Sequence, residues 1–342
     1  MRGKERPGTV YWIDHFVVCT SDAMRWEAFH TELLGGHPSP EPEEVRRRRG
    51  VFVDVTRGRH GGFLSMGRPV PPSRGLGKGH PRYGFYIRAA DIDMHRRRLD
   101  KVGARHSDPV RTSADGEAGT AIYWQDPDDN QFEFWAPDNP PEGAMIECSP
   151  AGVGHISHAV LDSRDLDRTA DFFDRYCALD PARSADIETG TLVLPLAAGG
   201  RLVYKKVDQL EGRTTGCGLP DPHTALTVRD EDFLPNYRRL WANLPEWDYN
   251  VRTDPVLKDP GLLPACTVMH INPAGQRFKK MTGRGDDFFD CDTNMFHFQG
   301  GTPVNNSMSV YTNHPLEDFF VEWEKSGGRP QPPHATVQVA AR

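Results

Sequence analysis

The stretch of sequence that decides the fold occurs twice in this chain of 342 residues. Residues 13–35 read IDHFVVCTSDAMRWEAFHTELLG, and residues 156–179 read ISHAVLDSRDLDRTADFFDRYCAL. Each copy opens with Ile-x-His followed by β-type residues, with His15 in the first copy and His158 in the second. This pattern predicts a β-strand in each copy.

A helix is predicted directly after each of these strands. An aspartate stands seven residues after each histidine, at Asp22 and Asp165, and a phenylalanine stands fourteen residues after it. Aspartate is a favoured N-cap residue, and the apolar residues that follow recur at helical spacing. Each copy therefore predicts a strand followed by an Asp-capped amphipathic helix.

Two further pairs of segments extend the repeat. YGFYIRAADIDMHRRRLDKVGAR from Tyr83 matches HTALTVRDEDFLPNYRRLWANL from His223, and AIYWQDPDDNQFEFWAP from Ala121 matches TVMHINPAGQRFKKMTG from Thr267. The first pair predicts another strand and helix, and the second predicts a hairpin at an Asp-Pro or Asn-Pro turn. The matched landmarks are 139 to 146 residues apart and keep the same order, which indicates a tandem duplication.

The duplication predicts an α+β fold of four βαβββ modules paired into two domains, because the strand–helix–strands pattern occurs twice in each half. The predicted boundaries are 1–140 for the first domain and 150–283 for the second. Residues 284–342 have no counterpart in the first half and are predicted to be a C-terminal extension.

Composition narrows the class of protein. The chain has 41 Lys and Arg against 48 Asp and Glu, a net charge of −7, which argues against a protein that binds nucleic acid or an anionic membrane. No apolar run has the length of a membrane helix, and the first residues carry no secretory signal. Six cysteines without a CxxC pair indicate reduced thiols and a cytoplasmic location.

The residues around His15, with FVVCTSD, and the run Asp126–Asn130 leading to Glu133 resemble the vicinal oxygen chelate superfamily. That superfamily includes glyoxalase I, bleomycin-resistance proteins and type I extradiol ring-cleavage dioxygenases. The resemblance covers residues 10–283, and the two-domain length is most similar to the extradiol dioxygenases. It implies that each domain is a curled mixed sheet that forms a cup, with helices outside. It also implies that a metal, Fe(II) or alternatively Mn(II), lies in a cup. Its ligands are a His on the first strand of one module, a His on the first strand of the next, and a Glu on the last strand.

In the second half, the resemblance assigns the first two ligand positions to His158 and His223. The third position has two alternatives. Spacing from His158 favours Lys279, which is a poor ligand, whereas alignment of residues 294–297 with residues 130–133 favours His297 and a three-histidine site.

In the first half, His15 and Glu133 occupy the first and third ligand positions, and the second falls on Arg82 or Tyr83. His80 could serve as a ligand only if the strand register shifted by one pleat. Alternatively, Arg82 pairs with Glu133 and this cup is a non-catalytic scaffold.

Proton transfer to the substrate is assigned to His270, just before the Asn272-Pro273 turn, with Tyr204 as a weaker candidate. The implied function is a dioxygenase that acts on a catechol-like or hydroxylated aromatic, with O₂ as the second substrate. Neither nucleic acid nor a membrane is an expected partner, and a homo-oligomer is expected. Two alternatives stay open: a metal-free protein that binds an aromatic ligand, and a metal-dependent isomerase or lyase.

Overall fold

The computed structural model describes residues 10–38, 42–44, 51–56, 59–65, 75–141, 144–145, 148–181, 190–197, 199–208, 224–228, 285–289 and 295–300. The strands in these ranges are β1 (Val10–Phe16), β2 (Cys19–Thr20), β3 (His37–Pro38), β4 (Val51–Thr56), β5 (Arg59–Ser65), β6 (Arg82–Tyr86), β7 (Val110–Thr112), β8 (Gly119–Gln125), β9 (Gln131–Pro137), β10 (Ile156–Ser163), β11 (Thr191–Pro195), β12 (Arg201–Lys206), β13 (Thr224–Val228), β14 (Gly285–Phe289) and β15 (Met295–Gly300). The helices are α1 (Ala23–Leu34), α2 (Ile92–Val102) and α3 (Leu166–Cys177). None of the described helices combines the length and the apolar character needed to span a membrane.

The predicted strand–helix repeat is confirmed at its two N-caps. The carboxylate of Asp22 accepts hydrogen bonds from the backbone N–H groups of Met24 and Arg25 at the start of α1. Asp165 accepts one from the N–H of Arg168 at the start of α3. These bonds satisfy backbone donors that the first helical turn leaves without partners.

The predicted hairpin after the second helix is also confirmed. Strands β8 and β9 pair antiparallel from Gly119 opposite Pro137 to Gln125 opposite Gln131. Asp126 closes the turn, because its Oδ1 accepts from the backbone N–H groups of Asp128 at 2.8 Å and Asn130 at 2.9 Å. The strand β6, the helix α2 and the strands β7 to β9 thus form one complete βαβββ module.

The sheets are curled and mixed, and they join modules from both halves of the chain. The seven-stranded sheet has the order β11-β12-β10-β6-β9-β8-β7, so the second and third modules meet at the antiparallel pair β6·β10. A four-stranded sheet has the order β1-β13-β15-β14, so the first and fourth modules meet at β1·β13. A further sheet, β2-β5-β4-β3, contains the remaining strands of the first module.

This pairing differs from the predicted grouping, in which the first module pairs with the second and the third with the fourth. The observed ladders pair the second module with the third, which are the inner modules, and the first module with the fourth, which are the outer modules. In addition, β14 and β15 fall within the predicted C-terminal extension but continue the sheet that β13 begins. The predicted division of the chain near residues 140–150 stays a prediction.

The core lies between the helices and one face of the sheets. Phe132 and Phe134 alternate with polar residues along β9 and are fully buried on the helix-covered face, where Trp124 stacks on Phe132 at 4.5 Å. Phe16 of β1 stacks on Tyr83 of β6, with 4.1 Å between the ring centroids. This contact connects the core residues of one sheet with those of the other. The opposite face of the seven-stranded sheet carries the charged residues described below.

One histidine in this core predicts a pH dependence of stability. His95 of α2 is fully buried, and its ring centroid lies 4.7 Å from that of Phe134. Burial, aided by the charge of Arg98, lowers the pKa of His95 to about 4, against the opposing charge of Asp91.

Since the folded state keeps His95 neutral while the unfolded chain takes up a proton below about pH 6.5, stability is lost as the pH falls from about 6.5 to about 4. We expect this loss to reach about 3 kcal/mol in urea titrations across that range. The variant His95→Gln should show a flatter pH profile. An unchanged profile would exclude His95 as the titrating group.

Candidate functional site

Two histidines occupy equivalent positions beside β-bulges at the two junctions between modules. In β1, Ile13 pairs with Leu226 and His15 pairs with Ala225, so two steps along β1 match one step along β13. In β10, Ile156 pairs with Phe85 and His158 pairs with Gly84, which is the same irregularity. Bulges of this kind occur often beside functional sites, because they redirect a side chain.

The extra residue of each bulge contacts the histidine that follows it. Asp14 Oδ2 lies 2.8 Å from His15 Nδ1, and Ser157 Oγ lies 2.9 Å from His158 Nδ1. All four side chains are buried. A carboxylate that accepts from Nδ1–H fixes the ring and assigns any metal-ligand role to Nε2.

The row of positions across the seven-stranded sheet at His158 is defined by the strand register. His158 pairs with Gly84 on one side and Arg201 on the other, and Gly84 pairs with Glu133 of β9. Residues that face each other across a ladder share one face of the sheet. We call this cluster, together with Arg82, Asp115 and Lys205, the inner cup.

Arg82 lies at the centre of the inner cup. Its Nε donates to Glu133 Oε2 at 2.7 Å, and its Nη2 donates to Asp115 Oδ2 at 2.5 Å. Lys205 Nζ lies 2.9 Å from the other oxygen of Asp115. His158 Nε2 lies 3.1 Å from Glu133 Oε1. Arg82, Asp115, Glu133 and His158 are all at most 5% exposed, so these charges interact with little solvent screening.

The charges hold both carboxylates ionised. Burial alone would raise the pKa of Glu133, but its interactions with His158 and Arg82 outweigh burial and lower that pKa. Burial likewise opposes ionisation of Asp115, whose pKa is held well below its usual range by Arg82, His158 and Lys205. The pKa of Arg82 is raised by Glu133 and Asp115 in spite of its burial. The inner cup therefore keeps its ion pairs at neutral and mildly acidic pH.

Asp115, Glu133 and His158 offer ligand atoms that lie within 4.8 Å of one another, so this group could hold a metal ion by donor type and spacing. Arg82, however, already places a cation against both carboxylates. Two carboxylates face two cationic side chains, which leaves no net negative charge to attract a divalent metal. The inner cup does not fit a metal as long as Arg82 is in place.

Gly84 allows His158 to occupy this row. A Cβ at Gly84 would lie 2.5 Å from His158 Cε1 and 2.6 Å from Ser157 Oγ, which real structures do not tolerate. We expect Gly84→Ala to destabilise the protein by about 1–3 kcal/mol in urea unfolding. The double variant Gly84→Ala/His158→Ala should lose less stability than the sum of the two single variants, because removal of the ring relieves the contact with His158 while the contact with Ser157 Oγ remains. Additive losses would contradict this interpretation.

The row across the outer sheet is its counterpart, and we call it the outer cup. His15 pairs with Ala225, Ala225 pairs with His297 of β15, and His297 pairs with Asp287 of β14. By register, His15 corresponds to His158, Ala225 to Gly84 and His297 to Glu133. The strand register thus places His297, the residue that one of the two alignments favours, in this row. Lys279 lies outside the described residues, so the choice between the two alignments stays a prediction.

The structure regroups the predicted ligands. His158 and Glu133, which belonged to different predicted sets, lie together in the inner cup. His15 and His297, also from different sets, lie in one row of the outer cup. His80 precedes β6, and its Nδ1 lies 2.6 Å from Asp162 Oδ1.

Tyr204, one of the two residues predicted to transfer protons, is not brought into the inner cup. Tyr204 is three positions after Arg201 in β12 and therefore lies on the opposite face of the sheet from the inner cup. Its ring packs against Phe173 of α3 at 5.6 Å. His223, His270 and Lys279 lie outside the described residues.

Sequence reasoning missed Asp115, which the turn between β7 and β8 places over the inner cup. No local pattern indicates this contact, because its partners come from three other strands. The residues before the two histidines carried a usable signal. In a regular strand, side chains alternate between the two faces, so Asp14 and Ser157 would point into the core, away from the histidines that follow them. A polar residue at such a core position is the signal that the strand is irregular there.

The family comparison agrees with this architecture. Residues 12–134 match the model of the Glyoxalase/Bleomycin resistance protein/Dioxygenase superfamily. Over these residues the chain is therefore similar to that superfamily, which is also called the vicinal oxygen chelate superfamily. No curated protein sequence matches the chain.

Two solved structures are similar in fold to most of the chain. One is a "putative dioxygenase" from Bacillus subtilis, with a TM-score of 0.57, 13% identity, and coverage of 95% of this chain and 98% of the other. The other is glyoxalase I from Zea mays, with a TM-score of 0.50, 14% identity, and coverage of 91% and 96%. At these identities the likeness concerns the fold alone. The superfamily includes enzymes and metal-dependent members.

Proposed function

We propose that this protein is a metal-dependent dioxygenase whose metal lies in the outer cup, held by His15, His223 and His297. The observation that supports this proposal is the row in which β1, β13 and β15 place His15, Ala225 and His297. His223 stands two positions before Ala225 in the sequence, as Arg82 stands two positions before Gly84. By this spacing in the sequence, His223 is proposed as the ligand at the position that Arg82 takes in the inner cup, beside His15 and His297 in place of His158 and Glu133.

The donor chemistry of the outer cup fits a divalent transition metal. Imidazole nitrogen suits Fe(II) and the related first-row metals, and Mn(II) is the alternative. In the described part of this row, the contact of Asp14 with His15 Nδ1 directs Nε2 toward a ligand role. No arginine occupies the described positions of this row, in contrast to the inner cup.

The charge of the site favours a particular substrate class. Three neutral imidazoles leave the two positive charges of the metal uncompensated, so a substrate that brings negative charge binds best. A catechol-like or hydroxylated aromatic loses protons from adjacent oxygens and supplies that charge at two points. Bound iron would supply the Lewis acidity that holds both oxygens and would activate O₂ beside them.

The other residues of the site would then orient the metal ligands and exchange protons with the substrate. Asp14 holds the ring of His15 in one orientation. His270, which stands before the Asn272-Pro273 turn, is proposed as the acid–base group toward the substrate oxygens. The proposed partners are a small aromatic substrate and O₂.

The test is anaerobic loading of the purified full-length chain with Fe(II), followed by catechols, with O₂ consumption and ring-cleavage products measured. We expect about one metal per chain and a turnover that EDTA abolishes. Conversion of a substrate without O₂ consumption would instead indicate an isomerase or lyase. Absence of metal binding would overturn the proposal.

A second candidate function is favoured by a specific observation. The ion pair between Arg82 and Glu133 supports it, because it supplies one cup with a cation that is not a metal. If both cups work without metal, the chain is a binding protein for an aromatic ligand. Tight binding of a catechol that EDTA leaves unchanged, with no turnover, is the result that supports this alternative.

A further inference from the structure

We propose that the guanidinium of Arg82 is the permanent cation of the inner cup and excludes metal from a ligand set that is otherwise complete. Removal of this side chain would convert Asp115, Glu133 and His158 into a binding site for a divalent cation. This inference concerns the inner cup and does not depend on the activity proposed for the outer one.

The first step is that the guanidinium of Arg82 contacts the same carboxylates that would ligate a metal ion. Arg82 donates to one oxygen of Glu133 and one oxygen of Asp115, which are two of the three groups whose ligand atoms lie within 4.8 Å of one another. Arg82 is 3% exposed and also donates through Nη1 to the backbone oxygen of Gly77 at 2.7 Å. The guanidinium is therefore fixed from three sides.

The second step is the state of His158. Its Nε2 is fully buried and lies 3.1 Å from Glu133 Oε1, yet it makes no well-directed hydrogen bond. Its Nδ1 is in contact with Ser157 Oγ, which leaves Nε2 as the ligand atom. A buried imidazole nitrogen beside two carboxylates is a set of donors that binds divalent metals.

The third step is the balance of charge. Arg82 and Lys205 together neutralise Asp115 and Glu133. A divalent ion added to this group would meet a guanidinium within the same ligand sphere. Without Arg82, two carboxylates and an imidazole remain against one ammonium, and oxygen-rich ligand sets of this kind suit Mn(II).

The experiment measures Mn(II) bound per chain by equilibrium dialysis for the wild type, Arg82→Ala, and the double variant Arg82→Ala/His158→Ala. Arg82→Ala is expected to bind one Mn(II) more than the wild type, and the double variant should lose that additional ion. Because the result is a difference between variants, it holds whether or not the outer cup binds metal. A folded Arg82→Ala that binds no additional Mn(II) would overturn the proposal.

A second arm uses a variant that keeps Arg82, in case Arg82→Ala does not fold. His158→Ala alone is expected to bind as much Mn(II) as the wild type, since the inner cup of the wild type holds none. If His158→Ala instead loses one Mn(II) per chain while His15→Ala loses none, metal binds beside Arg82 and the inference is wrong.

Discussion

Replacement of His15 by alanine is expected to lower the affinity for Fe(II) by more than about 100-fold and to abolish chelator-sensitive turnover. The reason is that removal of a ligand costs more than loss of the group that orients it, and the latter alone typically costs about 10–100-fold. The measurement is Fe(II) bound per chain under anaerobic conditions, together with O₂ consumption in the presence of a catechol.

Two further variants test whether the loss of metal affinity follows the role of each residue. Asp14→Asn keeps the shape of the neighbour but weakens its contact with His15 Nδ1, so we expect an intermediate loss of about 10–100-fold in metal affinity. His37→Ala alters an exposed histidine of β3 and should leave metal binding unchanged. A His15→Ala protein that retains its metal, while His158→Ala loses it, would move the metal site to the inner cup.

Replacement of Arg82 by methionine is expected to destabilise the protein by about 3–5 kcal/mol. The substitution keeps part of the buried side-chain volume but removes the guanidinium that donates to Asp115 and to Glu133, which is 1% exposed. Loss of one partner from a buried ion pair leaves an uncompensated charge, which is the costly outcome. Urea unfolding followed by tryptophan fluorescence measures the loss.

Arg111→Met is the matched control, because Arg111 also pairs with a carboxylate, that of Asp138. This pair lies at the surface, with 62% and 38% of the two side chains exposed. Solvent screens such pairs, so the control should be indistinguishable from the wild type in the same titration. The double variant Arg82→Met/Glu133→Leu should recover part of the loss of Arg82→Met, since it removes the isolated charge. If Arg82→Met unfolds at the same urea concentration as the wild type, the inner cup contributes little to stability.

Local structure could be predicted from the sequence to a considerable degree. The N-caps Asp22 and Asp165 and the turn at Asp126 were predictable because each depends on residues within about five positions. The pairing of Arg82 with Glu133 could be predicted as one of two alternatives, because a cation and a carboxylate stand at the second and third ligand positions of the first half.

The choice of partners between modules could not be predicted in the same way. The first strands of all four modules carry similar patterns, so any two of them offer compatible edges for antiparallel pairing. The observed pairing depends on how complete modules pack against one another, and these contacts join residues that are far apart in the sequence. The same limit explains His297: its place in the row depends on which strand lies parallel to β13, and a longer connection shifts that strand along the sequence.

The pairing of inner with inner and outer with outer modules has a consequence for how the chain acquires its structure. All strands of the seven-stranded sheet lie between residues 82 and 206, so this sheet can assemble while the rest of the chain is still unformed. Strand β1, in contrast, finds its partner β13 only after more than half of the chain has been made. Closure of so long a loop delays the contact. A cut near residue 145 would place β6 and β10, and likewise β1 and β13, on different fragments, so neither fragment alone contains all strands of a cup.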